Sequence, residues 1–184
     1  MSENRLISKP SQRPQEIDEI ISTLKRYDVS VIKDLEDYLL DQYKGDYSDL
    51  NSNLALLKLY ELGNELSVER EEITIKILIK GLIEFVDQDF ALYLHLLPPY
   101  VFSTQTSYTT KVQNLTTLYE LLISNKFDEF VNKNKELNNI IDEHSLALVR
   151  NTFLANKSAK FIISEPVSED VSALKLSKII SSLI

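Results

Sequence analysis

Glycine and proline occur only three and five times in 184 residues, while large apolar side chains return every three or four positions along most of the chain. That pairing constrains the fold more than any motif does. A sandwich or barrel needs a turn roughly every 8–12 residues, and those turns draw on residues this chain largely lacks. Long helices need few interruptions, so the predicted class is all-α. With 43% of residues apolar, a core can form without metals or disulfides.

The first 14 residues are polar, with Pro10 and Pro14, and read as a disordered tail. Helical spacing begins with Ile17, Ile20, Ile21 and Leu24, predicting a helix over 15–26. Ser30 is a candidate cap for the next, marked by Val31, Leu35, Tyr38 and Leu39 and broken at Lys44-Gly45-Asp46. Asn51 or Ser52 can cap a third over 53–62, which is apolar nearly all round and so reads as central. Gly63-Asn64 is a plausible C-cap for it. Ser67 starts a fourth, with Glu69, Glu71 and Glu72 favourably placed for the helix dipole.

The body of that fourth segment alternates isoleucine at 73, 75, 77 and 79, which taken alone fits a strand. The acidic start and the continuous apolar pattern beyond Lys80 favour one long helix. A short helix opens at Asp87 or Asp89 and stops at Pro98-Pro99, and residues 100–107 read as a loop. Val112, Leu115, Leu118, Tyr119 and Leu122 mark a helix over 108–123. Phe127, Phe130, Val131, Leu137 and Ile141 mark another, and Leu146, Val149 and Phe153 a further one. The rhythm of helix and short turn predicts a HEAT-like or TPR-like helical-repeat bundle over 15–157. The rest, 158–184, differs in character: Phe161-Ile162-Ile163 is β-prone, and Ser168 can cap a final amphipathic stretch.

Acidic residues outnumber basic ones 28 to 20, giving a net charge of −8 and no dense basic stripe of the kind a polyanion binder shows. The absence of cysteine removes disulfides, thiolate metal sites and a cysteine nucleophile. The longest apolar run, 90–97, falls far short of the roughly 20 residues a membrane helix needs. No signal peptide is visible, and a cytoplasmic location is expected. Two matches to the glycosylation pattern, at Asn114 and Asn156, read as chance.

Chemistry-bearing residues are thinly spread. His95 and His144 are the sole imidazoles and neither has a partner at helical metal-ligand spacing. Three isolated glycines build no phosphate-cradling loop. Asp87-Gln88-Asp89 opens like a calcium loop, but Phe90-Ala91-Leu92 follow where oxygen ligands and a glycine are needed. Glu69, Glu71 and Glu72 read as a solvated helix start rather than an acid–base cluster. The nine tyrosines and seven phenylalanines fall mostly at core spacing, with few basic residues between them to suit RNA stacking. The chain is therefore predicted to be no enzyme, with no metal and no cofactor.

The stretch Asp49-Leu50-Asn51-Ser52-Asn53-Leu54-Ala55-Leu56-Leu57-Lys58-Leu59-Tyr60 resembles the signature helix of the family of subunit k of eukaryotic translation initiation factor 3. The likeness extends back to Arg26-Tyr27 and forward to Ile77-Leu78-Ile79-Lys80-Gly81-Leu82 and Asp89-Phe90-Ala91-Leu92, in that order. A weaker one runs from Leu115 to Val131. The resemblance implies a helical-repeat domain followed by a C-terminal winged helix, as in the PCI-type scaffold subunits of the proteasome lid and signalosome. It further implies a non-catalytic scaffold of initiation factor 3, with subunit l as direct neighbour and the small ribosomal subunit reached through the complex.

The C-terminus departs from that pattern. Residues 158–184 are too few for a full winged helix, leaving either a truncated module or a remnant strand at Phe161–Ile163 and a terminal helix. As one helix, Leu176, Ile180, Leu183 and Ile184 share a stripe and Leu174 joins its edge, and Ile179 is a further large apolar residue of the segment. These six form the predicted partner interface, the alternative being that the stripe folds back on the chain's own helices. Two other readings remain open: a scaffold subunit of the proteasome lid or signalosome, and a helix-turn-helix nucleic-acid binder using 168–184. The latter has only Lys175 and Lys178 as basic residues, set against Glu169 and Asp170.

Overall fold

A computed structural model describes residues 9–63, 67–103 and 105–164, and no strand occurs among them. The helices are α1 (Gln15–Ser22), α2 (Ile32–Lys44), α3 (Leu50–Gly63), α4 (Val68–Ile83), α5 (Asp89–His95), α6 (Tyr100–Ser103), α7 (Ser107–Ile123), α8 (Phe127–Glu136) and α9 (Glu143–Ser164). The alternating isoleucines are helical. Ser67 accepts a hydrogen bond from the Arg70 amide at 3.2 Å, Glu69 and Glu71 occupy the first turn, and Lys80 the last. Ile77, Leu78 and Leu82 are fully buried. α4 packs against α3, α5, α7 and α9, so the helix that looked ambiguous in sequence is the centre of the domain.

α1 and α2 pack on α3, which meets α4; α8 packs on α7, and α7 and α9 meet α4 directly, with α5 against α3 and α4. Thr106 caps α7 by accepting from the Thr109 amide at 3.1 Å. Asn125 takes a left-handed conformation, φ 59°, where the chain turns into α8. Fully buried Leu35, Leu39, Leu56, Leu59, Val112, Leu115, Leu118 and Phe130 join the two halves into one core.

Several local expectations are corrected. Helix α1 stops at Ser22, and 3₁₀ turns at Leu24–Tyr27 and Val29–Val31 replace its last turn. The cap there is Asp28, which accepts from the Ser30 amide at 2.9 Å, rather than Ser30. Asp49, not Asn51 or Ser52, caps α3, accepting from the Ser52 amide at 3.2 Å. Within α3, Leu56, Leu57 and Leu59 are buried whereas Leu54 is half-buried. Residues 100–103 form one turn of helix. Helix α8 ends at Glu136 instead of continuing to Ile141, because Asn138 and Asn139 both have φ 54°. Asn134 then clamps the turn, donating to the Ile141 carbonyl and accepting from its amide, each at 3.0 Å.

Helix α9 starts from the Asp142 cap and runs through Phe161–Ile163, so those residues are helix and not a remnant strand. The N-terminal expectation also changes. Residues 9–14 are described, and Arg13 is buried against the domain rather than part of a disordered tail.

Leu57 is 2% exposed and forms part of the wall of a surface groove. Leu57→Ala should cost about 2–3 kcal/mol, the lower part of the range for large-to-small core changes, since water can enter the space left. Urea denaturation measures this, and an unchanged midpoint would remove Leu57 from the core.

Candidate interaction surfaces

A buried polar cluster fixes the first half of the domain. Asp49, 1% exposed, receives Arg13 Nε at 2.6 Å, Arg13 Nη2 at 2.7 Å and the Tyr38 hydroxyl at 3.1 Å. Its own amide donates to Gln42 Oε1 at 2.9 Å. Gln42 Nε2 donates to Asn53 Oδ1 at 3.0 Å, and Asn53 Nδ2 reaches the Tyr93 hydroxyl at 3.2 Å. Lys80, 2% exposed, donates to the carbonyls of Gln42 and Tyr47, each at 3.0 Å, and its ammonium lies 4.4 Å from the Tyr43 ring centre. Burial lowers the Lys80 pKa. These groups face one another inside the fold, and they position helices instead of presenting chemistry to solvent.

On the surface, a groove of about 390 Å³ lies between the end of α3, the start of α4 and the Pro98-Pro99 turn. Tyr60, Arg70, Tyr100 and Tyr108 line it. The Arg70 guanidinium stands 5.1 Å from the Tyr60 ring centre, and the Tyr60 hydroxyl donates to Glu36 at 2.6 Å. Burial pushes the Tyr108 hydroxyl up to about 12, so it stays protonated and can only exchange hydrogen bonds. The lining has no nucleophile paired with a base. Its size would hold one or two apolar side chains of a partner.

A second face combines the turn after α4, the end of α7, the start of α8 and the middle of α9. Two adjoining grooves there, about 470 and 300 Å³, share Asn125. Phe127 stacks on Phe153 at 4.8 Å between ring centres, and Lys157 caps Phe153 at 4.8 Å. Val86, Ile123 and Leu154 stand in the open at 44, 51 and 55% exposure.

The sequence-predicted interface residues, Leu174, Leu176, Ile179, Ile180, Leu183 and Ile184, lie outside the described residues. Of the two histidines, His144 Nε2 lies 2.6 Å from Asp46 Oδ1 in an exposed pair, and His95 is exposed at the end of α5. Among the described residues, no group of three or more His, Asp or Glu side chains is placed to hold a metal. None of their helices is long and apolar enough to cross a membrane.

Comparison with known proteins adds a family to this geometry. Residues 69–152, from the start of α4 to the middle of α9, match the CSN8/PSMD8/EIF3K family. The eukaryotic translation initiation factor 3 subunit K of Yarrowia lipolytica is 39% identical over 127 residues, covering 68% of this chain and 54% of that protein. The subunit K of Sclerotinia sclerotiorum is 34% identical over 130 residues, covering 65% and 52%. That of Neurospora crassa is 40% identical over 90 residues, covering 49% and 37%. The chain spans about half the length of the first two relatives. Its helical region is that of the CSN8/PSMD8/EIF3K family, and within that family the chain resembles the initiation factor 3 subunit K proteins.

Proposed function

We propose that the chain serves as a non-catalytic scaffold subunit of eukaryotic translation initiation factor 3, acting in the cytoplasm through protein–protein contacts. The observation that carries this reading is the 39% identity to a subunit K over 127 residues, a length that takes in most of the helical domain. In this reading the domain is a HEAT-like stack that takes in α9 to Ser164, the residues after it are a short winged-helix-like or terminal-helix segment, and no catalysis occurs on the chain. Subunit l is the direct neighbour, and the small ribosomal subunit is met through the complex. Exposed apolar side chains away from the α7–α9 face, such as Leu62, Val68 and Phe102, support a role in docking, since apolar area on an isolated surface is retained where a partner covers it.

The six apolar residues between Leu174 and Ile184 enter this reading in one of two ways: they touch subunit l directly, or they complete the domain that does. Tagged chain expressed at native level and purified under mild conditions should bring down initiation factor 3 subunits, with subunit l enriched. Recovery of proteasome-lid or signalosome subunits in their place would overturn the assignment. The double change Ile180→Asp/Leu183→Asp separates the two routes. Loss of subunit l with an unchanged melt marks direct contact, and a large fall in Tm marks a closing element of the fold.

A further inference from the structure

The face around Ile123 and Leu154 has an occupant close at hand. Val86, Ile123 and Leu154 leave a row of apolar side chains open between α7 and α9, over floors made by Phe85, Leu122 and Phe153. Lys126, Arg150 and Lys157 edge the groove on the α8 side. Lys126 is held by Glu129 at 3.2 Å, whereas no ion pair of Arg150 or Lys157 is formed among the described residues. The face therefore presents apolar area edged by three cations and by the carboxylates of Asp128 and Glu129, with Arg150 and Lys157 over the rings of Phe127 and Phe153, in a chain of net charge −8.

Helix α9 passes directly into a segment of complementary character. Residues 165–170 contain Glu165, Glu169 and Asp170, and 171–184 carry Leu176, Ile179, Ile180, Leu183 and Ile184 at spacing that puts them on one helical face. The distances agree. Leu154 lies ten residues before Ser164, about 15 Å along a helix, and 171–184 as a helix would be about 21 Å long. Six extended residues at 165–170 span about 20 Å, enough for the chain to reverse direction.

We propose that residues 171–184 of the same chain seat on the α7–α9 face, with their apolar stripe on Val86, Ile123 and Leu154 and the acidic 165–170 stretch at the Lys157 end of that face. A helix laid there removes apolar surface from water on both sides at once, and it brings the carboxylates of 165–170 towards Lys157. The inference rests on the helical domain alone and stands whether or not the chain belongs to initiation factor 3. It also chooses between the two routes above: the stripe closes the fold, and neighbouring subunits meet other surfaces.

Because the chain has no cysteine, a single introduced pair reports the contact cleanly. Leu154→Cys/Leu183→Cys in the full chain, treated with a short bis-maleimide at high dilution, should cross-link within one molecule. The rate should not depend on protein concentration and should vanish in urea. Cross-linking only between molecules, or none, overturns the proposal. A second measurement guards against a local artefact. Ile123→Asp/Leu154→Asp changes residues that are half exposed in the described fold, so a loss of Tm larger than that of Ile123→Ala/Leu154→Ala in a chain cut after Ser164 reports a covering element. That loss should match the one from Ile180→Asp/Leu183→Asp, and the fourfold variant should melt no lower than the weaker double. Additive losses, or none, would show that the two sites do not meet.

Discussion

Arg13→Ala should destabilise the chain by about 3–5 kcal/mol, although position 13 looks like part of a polar tail. The reason is the company it keeps. Its side chain is 5% exposed and Asp49's is fully buried, and the guanidinium meets both carboxylate oxygens, at 2.6 and 2.7 Å. Removing the cation leaves a carboxylate inside the fold with only the Tyr38 hydroxyl and the Ser52 amide to support it. The same carboxylate caps α3, so the disturbance spreads into the helix that carries Leu56, Leu57 and Leu59. Asp49→Asn keeps a capping oxygen while removing the charge. The double variant should therefore be more stable than the sum of the single losses predicts, which urea denaturation of all four proteins would measure. A loss below about 1 kcal/mol for Arg13→Ala would mean that water reaches Asp49 and that residues 9–14 add nothing to the fold.

That pair shows which part of the fold was legible. The boundaries of α4 and α7 follow from their own residues: Ser67 and Thr106 cap, carboxylates sit where the α4 dipole wants them, and apolar positions recur at helical period. Local signals of this kind survive translation into structure. The Arg13–Asp49 pair spans 36 positions between a polar stretch and a helix start, and neither partner has a periodic context that points to the other. In α3 the error has a different source. Apolar residues surround the helix, so period alone leaves its phase open. Asn53 faces inward because Gln42 and Tyr93 hydrogen-bond its side chain, Ser52 is small enough to be buried with its hydroxyl unpartnered among the described residues, and Leu54 turns partly outward. The end of α8 was readable in principle, since Asn138-Asn139 can enter the left-handed region at low cost, but Leu137 and Ile141 continue a helical period across it. At Phe161–Ile163 the β-branched pair suggested a strand, and the continuation of α9 prevailed because that helix is already nucleated and packed at Val149 and Phe153. The surface grooves left no trace in the pattern. Ile123 and Leu154 stand at ordinary core spacing, and only the assembled helices show that nothing described lies over them.

Phe90→Ala should cost about 3–5 kcal/mol, in the upper part of that range. Phe90 is fully buried in α5, a seven-residue helix too short to persist without tertiary contacts. Its ring stacks on Tyr119 of α7 at 4.6 Å between centres, so one side chain ties α5 to the second half of the domain. The backbone beside it is already at contact distance: a Cβ on Gly81 of α4 would stand 2.7 Å from Phe90 Cα and 2.9 Å from its nitrogen. Glycine at 81 is what lets α5 lie against α4, and it also means that α5 has no room to move inward when the ring is lost. The cavity stays open instead of collapsing, which is the circumstance in which large-to-small changes cost most. Tyr93, one turn further along α5 and fully buried, would loosen with it and release its hydrogen bond from Asn53, connecting the defect to the polar cluster. Hydrogen exchange should then show the α5 amides opening well before those of α4, alongside the lower denaturation midpoint. Phe90→Leu, which keeps most of the volume, should retain the slow exchange. Equal losses for the two variants would show that the Phe90 site is plastic and that close backbone approach at Gly81 does not hold α5 in place.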